Sequence, residues 1–155
     1  MKIRRYRLGE EEAIWGVYYG STRSVVAREY TREQVERWAP DERDPDEWKA
    51  RVAETNPLVA VMDNKIVGFA ELEPNGHIGR FYCHPEFQRQ GVGSALMREV
   101  LGEAERLGLE RLIAEVSTTA VEFFLASGFE IDEETNNLVC GRPARQYRMS
   151  RLMST

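Results

Sequence analysis

Apolar residues along this chain recur with two rhythms, and the change between them organises it. Residues 3–8 alternate weakly and predict a short strand. Glu10, Glu11 and Glu12 then put acids where a helix dipole favours them, and Ile14, Trp15, Val17 and Tyr18 supply an apolar side. Thr31-Arg32-Glu33-Gln34 has capping-box spacing ahead of Val35 and Trp38, so a short helix starts there and stops near Pro40. In Asp44-Pro45-Asp46-Glu47, Asp44 can cap, Pro45 suits the first helical position, and Glu47 can reach back. Trp48 and Val52 then share one face.

From residue 58 the period shortens. Residues 58–62, 66–72 and 77–83 read as three strands joined by turns at Asp63-Asn64-Lys65 and Pro74-Asn75-Gly76, an antiparallel meander. A loop over 85–93 precedes a helix with Leu96, Met97, Val100, Leu101, Ala104 and Leu107 at helical spacing, stopped by Gly108. A strand over 111–116 and a helix over 120–127 follow. Two last strands over 129–132 and 145–149 are expected to be separated by a loop around Asn136-Asn137. The fold class is α+β, with a mixed sheet and helices both before the meander and between the later strands.

Composition narrows the function classes. A length of 155 residues suits a single domain spanning 1–155, and 42% hydrophobic with 30% charged residues is ordinary for a soluble protein. A net charge of -5 and a pI near 5.2 argue against a general nucleic-acid binder, but not against a local anion site. No apolar run is long enough to span a membrane, and the charged start Met1–Tyr6 lacks a signal core, so a cytoplasmic setting is expected. Cys83 and Cys140 form no CxxC pair. No metal is expected, and reduced thiols are the simpler reading.

The informative stretch runs from Phe81 to Met97: a strand, a glycine-containing turn, then a strong helix. The first turn of a helix leaves backbone N–H groups without partners, and glycine lets a phosphate approach them. The turn has neither the Gly-Lys-Ser/Thr ending of a triphosphate loop nor GxGxxG. By itself, Gly91-Val92-Gly93 is as well explained by tight packing as by a ligand.

The longer string Gln88-Arg89-Gln90-Gly91-Val92-Gly93 resembles the Q/R-x-x-G-x-G/A signature of the GNAT superfamily of acyl-CoA-dependent N-acyltransferases. Phe81-Tyr82-Cys83-His84-Pro85 resembles that family's strand before the turn. The segment from Ala120 to Phe129 resembles its A-x-x-F-Y-x-x-x-G-F helix and strand start. The resemblance covers nearly the whole chain. It implies a central mixed sheet of about seven strands, meander first, splayed between the fourth and fifth strands. It also implies acetyl-CoA as co-substrate. Gln88, Arg89, Gln90, Gly91, Val92, Gly93 and Ser94 would surround its pyrophosphate, and the main chain of Phe81 and Cys83 would pair with the pantetheine arm. A backbone N–H near Tyr82 and Cys83 would polarise the acyl carbonyl. Ser117 stands where many members carry a cofactor-contacting asparagine. A homodimer through the last strands is suggested by the resemblance only.

Amine acylation needs a proton acceptor. With a pKa of ~10.4, only about one alkylamine in 10³ is neutral at pH 7, a cost of roughly 4–5 kcal/mol. His77 is the first candidate base: its ordinary pKa suits the task, and counting back from Gly91 it falls where several family members carry a catalytic glutamate. Glu71 is the second candidate, against an outward carboxylate on a half-exposed strand. Tyr82, alternating to the face of Ile78 and Arg80, would line the cleft or simply pack. Glu73 reads as rim and His84 as a turn residue. One departure is Phe124, where the family's usual acid is a tyrosine; Tyr147 or water could take that role. The acceptor is expected to be a primary amine of a small molecule or peptide, with no nucleic acid and no membrane. The competing reading is an acyl-CoA sensor without turnover, favoured by Phe124 alone. Trp15, Tyr18, Tyr19, Tyr30 and Trp38 could shape the acceptor site, although aromatics at helical spacing are more often core.

Overall fold

The computed structural model describes residues 1–24, 26–87, 90–139 and 142–153, without the side chains of 137–139 and 142–144. Among these residues the helices are α1 (Glu11–Ser24), α2 (Arg32–Trp38), α3 (Pro45–Thr55), α4 (Val92–Arg106) and α5 (Val121–Ala126). The strands are β1 (Lys2–Arg5), β2 (Leu58–Met62), β3 (Lys65–Leu72), β4 (His77–Cys83), β5 (Arg111–Ser117), β6 (Glu130–Val139) and β7 (Arg142–Leu152).

Two helix starts form as their polar residues dictate. Thr31 and Gln34 make a reciprocal capping box at α2. Asp44 caps α3 by accepting the Asp46 N–H, with Pro45 in the first turn. The α3 helix ends on Asn56 in the left-handed region at φ 44°. In α4 the apolar stripe is buried at Leu96, Met97, Val100 and Ala104, whereas Leu107 lies past the last turn and is exposed.

The sheet order is β1-β2-β3-β4-β5-β7-β6. Every pairing is antiparallel except β4–β5, whose strands run parallel because α4 carries the chain back between them. The sheet separates two cores. On the α4–α5 side the interior is mainly aliphatic, with Val67, Ile78, Leu96, Leu112 and Met149 fully enclosed. On the α1–α3 side it is largely aromatic, with Tyr18, Trp48 and Phe69 packed around Ile14 and Val17. No helix among the described residues is long and apolar enough to cross a membrane.

Two expectations are corrected. No loop interrupts the chain at Asn136-Asn137. Instead β6 continues to Val139 and pairs with β7 along its length, with Asn136 opposite Arg145 and Asn137 opposite Ala144. Cross-strand partners override the weak strand propensity of these residues: Glu134 meets Arg145 at 3.1 Å and Glu133 meets Arg148 at 3.2 Å.

The second correction concerns β4. Between Ala70 opposite Phe81 and Leu72 opposite Ile78, two β4 residues, Gly79 and Arg80, face the single Glu71. This bulge inverts the alternation. Ile78 and Phe81 therefore both pack on the α4 side, while Tyr82 packs on the α1 side, away from Ile78.

Candidate active site

The parallel β4–β5 ladder consists of only two pairs, His77 opposite Ile113 and Ile78 opposite Ala114. Beyond them the strands part. His84 N–H bonds Val67 O on β3 at 2.7 Å. Antiparallel alternation then turns Tyr82 toward β3 as well, and aims the N–H and C=O groups of Phe81 and Cys83 at the gap left by β5. The part of β4 that lies past its ladder with β5 thus borders the opening.

The N-terminus of α4 meets the same opening. Gly91 precedes the helix at φ 81°, a left-handed conformation that side chains other than glycine resist, and no side chain caps the helix there. The first-turn N–H groups through Ser94 are therefore uncapped, at the positive end of a 15-residue helix. Gly93 is tightly packed: an added Cβ would lie 3.2 Å from the Phe123 ring, which would have to give by a few tenths of an ångström.

A cleft of about 360 Å³ joins these features. It is bordered by Gly91–Ser94 at one end, crosses Phe81, Tyr82, Cys83, Val116 and Ser117, and reaches Ser21 and Val26 on the far side of the sheet. Phe124 forms part of its wall, 4% exposed and in edge contact with Phe129 at 5.0 Å between centroids. Tyr147 packs with the α4-side core and is outside the lining. Gln90 also stands outside the lining, its side-chain amide 3.4 Å from Glu86 O. Gln88 and Arg89 fall outside the described residues.

Among the described lining residues, the titratable groups are Tyr82, Cys83 and Glu115. Burial pushes the Cys83 thiol up to about 11, so it stays protonated near neutrality. Burial, helped by the neighbouring Tyr18, also raises the Tyr82 phenol above its ordinary value. The Tyr82 ring is wedged between Tyr18 at 5.1 Å and Phe69 at 6.0 Å.

Two sequence candidates lie beside the cleft rather than in its lining. His77 sits at the first β4–β5 pair, its Nδ1 3.1 Å from Glu73 and its Nε2 2.6 Å from Glu115. Burial would lower its pKa, but the Glu115 hydrogen bond and the charges of Glu115 and Glu73 outweigh it, so the net shift is upward. With a carboxylate on each ring nitrogen, His77 is best satisfied as a donor on both sides. Glu71 is 5% exposed and closes the bulge: it accepts the Arg80 N–H at 2.7 Å and lies 3.4 Å from the Arg80 guanidinium.

Sequence reasoning passed over Glu115, Ser21 and Gln146 as lining residues. Glu115 carried one usable signal, being the only acid inside the apolar strand 111–116. Trp15, Tyr18, Tyr19, Tyr30 and Trp38 do not line the cleft. Tyr18 is core, and Tyr30 instead bonds Thr118, just past β5, and Arg145 within β7.

Comparison with known proteins gives a consistent family. A family model described as the acetyltransferase (GNAT) domain matches residues 26–149. The uncharacterized N-acetyltransferase YafP of Escherichia coli strain K12 is 28% identical over 130 residues, covering 84% of this chain and 81% of YafP. The crystal structure of a GCN5-related N-acetyltransferase from Rhodopseudomonas palustris superposes with a TM-score of 0.92 at 26% identity, covering 97% of this chain and 94% of that one. The structure of yncA from Salmonella typhimurium, a putative acetyltransferase with its cofactor acetyl-CoA, superposes at 0.70 with 18% identity, covering 100% and 95%.

Proposed function

Since the chain belongs to the acetyltransferase (GNAT) family, we propose that it moves an acetyl group from acetyl-CoA to a primary amine of a small molecule or peptide. The observation that carries this reading is one continuous cleft. It runs from the uncapped N–H groups of α4, past the part of β4 from which β5 has parted, to Glu115 and Tyr82 on the opposite side of the sheet. Anionic phosphates suit the first part, an extended amide-bearing arm the second, and proton transfer the third.

In this reading the N–H groups from Gly91 to Ser94 hold the pyrophosphate, with Gln90 on the approach. The Phe81 and Cys83 main chain pairs with the pantetheine amides and offers an N–H to the acyl oxygen. Ser117 and Phe124 flank the arm.

Glu115 takes one proton from the incoming ammonium and passes it to solvent, which reaches its partly exposed side chain. The neutral amine forms the C–N bond while the C–S bond breaks. Sulfur leaves as a thiolate, with a pKa near ~8.5, that accepts the second amine proton. Tyr82, protonated, donates a hydrogen bond toward that sulfur in place of the tyrosine that Phe124 replaces. His77 holds Glu115 from behind rather than meeting the amine, and Glu71 keeps the bulge that orients Tyr82.

The test is thermal unfolding with acetyl-CoA, CoA and ATP in parallel, followed by thiol release over a panel of amines. At 100 times Kd, binding adds about 2.7 kcal/mol, roughly 5–10 °C for a chain of this size. Stabilisation by acetyl-CoA and CoA but not ATP, with thiol release for some amine, supports the proposal. No shift at millimolar acetyl-CoA removes it.

A further inference from the structure

The β5–β7 ladder ends at the pair Ser117–Gln146. One position further on, the Thr118 N–H and the Arg145 C=O lack a strand partner in that ladder. A side chain from far away in the sequence takes their place. The Tyr30 hydroxyl accepts the Thr118 N–H at 3.0 Å and donates to Arg145 O at 2.5 Å, spanning 88 and 115 residues of sequence. A phenol can donate once and accept at the same time, and here it does both. Its ring is fixed edge-on to Trp38, 4.6 Å between centroids.

This bond joins the two walls of the cleft's far end. Ser117, Thr119 and Gln146 form one wall, around the end of the β5–β7 ladder that the hydroxyl bridges. Ser21 and Val26 form the other, and the chain between α1 and α2 leads from them directly to Tyr30. Among the described residues, the side-chain hydrogen bonds that tie 26–31 to the sheet are both made by Tyr30. The segment is therefore a strap beside the cleft, packed through Val26 and hydrogen-bonded to the sheet through one side chain.

We propose that Tyr30 is a positioning residue that sets the width of the amine entrance, by fastening the strap to the end of the β5–β7 ladder. The proposal rests on the reading of this cleft as the acyl-transfer site. A phenylalanine at position 30 would keep the contact with Trp38 but leave the Thr118 N–H and Arg145 C=O without this partner. The strap would then loosen, and bulky amines would gain access relative to small ones.

The experiment compares wild type with Tyr30→Phe in three readouts. Hydrogen–deuterium exchange, which needs no substrate, should show the Thr118 amide protected in the wild type and exchanging about tenfold faster in the variant. Steady-state kinetics should show KM for a small amine raised several-fold while KM for acetyl-CoA is unchanged. The ratio of kcat/KM for a branched aryl amine over a linear alkylamine should rise about tenfold, the effect of losing one hydrogen bond from the wall. If Thr118 exchanges freely in the folded wild type, the latch does not exist and the inference is overturned, whether or not the variant folds. If wild type turns over amines but Tyr30→Phe leaves both the KM split and the size ratio unchanged, the inference is overturned while the acyl-transfer reading stands. If wild type binds no acetyl-CoA, that reading fails, and the exchange result alone decides whether Tyr30 fastens the strap.

Discussion

On the α4 side of the sheet the interior is mainly aliphatic, and the groups offered to a ligand are main-chain N–H groups at Gly91–Ser94 and along β4. On the α1 side the interior is aromatic, and what faces the cleft is made of side chains: Tyr82, Glu115, Ser21, Gln146. The first half works through backbone geometry, which a few glycines and an apolar stripe can enforce locally. The second half works through contacts between residues tens of positions apart. It follows that damage on the two sides should look different. The α4 side should fail in binding the acyl donor, and the α1 side in catalysis and in choice of acceptor.

The largest expected effect tests the side-chain half. Glu115→Gln keeps the shape of the residue but removes the proton acceptor, and should lower kcat by about 10²–10⁴ with acetyl-CoA affinity retained. Turnover at the wild-type rate would mean that another group takes the proton, and the division between the two sides would lose its catalytic half.

A smaller effect tests the backbone half. Gly91 holds φ 81° with open space around it, so Gly91→Ala meets no clash, only the left-handed penalty of about 1–2 kcal/mol. Acetyl-CoA affinity by calorimetry should fall roughly tenfold, with the acceptor preference intact. An altered acceptor preference at unchanged affinity would reverse the assignment.

The smallest effect concerns the vertex where the two halves meet. His77 faces Glu73 and Glu115, and Glu115 is in register with Arg148 of β7. Its folded pKa lies above the unfolded value of ~6.5. Its contribution to stability is therefore fully present below that pH and is lost as pH rises through the folded value. The melting temperature of wild type minus that of His77→Gln should be largest near pH 6 and shrink toward alkaline pH. A difference that grows with pH would show that the imidazole is not held protonated between the carboxylates.

The same division explains what could be read from the chain. Thr31, Asp44 and Pro45 announce helix starts because capping is satisfied within a few residues. Gly91 and Gly93 announce the turn because the requirement is local to the backbone. The family followed from those strings. Glu115 was missed because its partner is His77, 38 positions earlier, and nothing near either residue signals the contact. Tyr82 was assigned to the face of Ile78 because strict alternation has no means of anticipating two residues opposite one at Glu71. The last hairpin was cut short because Asn136 and Asn137 are poor strand formers alone, and only pairing with Arg145 and Ala144 makes them strand.

The aromatic layer has an optical consequence. The chain has three tryptophans, Trp15, Trp38 and Trp48, and they sit on α1, α2 and α3 respectively. None belongs to α4 or α5. Emission excited at the red edge of tryptophan absorption therefore arises from one layer only. The molecule carries a built-in fluorescent label on the side where Ser21 and Val26 border the cleft, and no such label on the side where α4 begins.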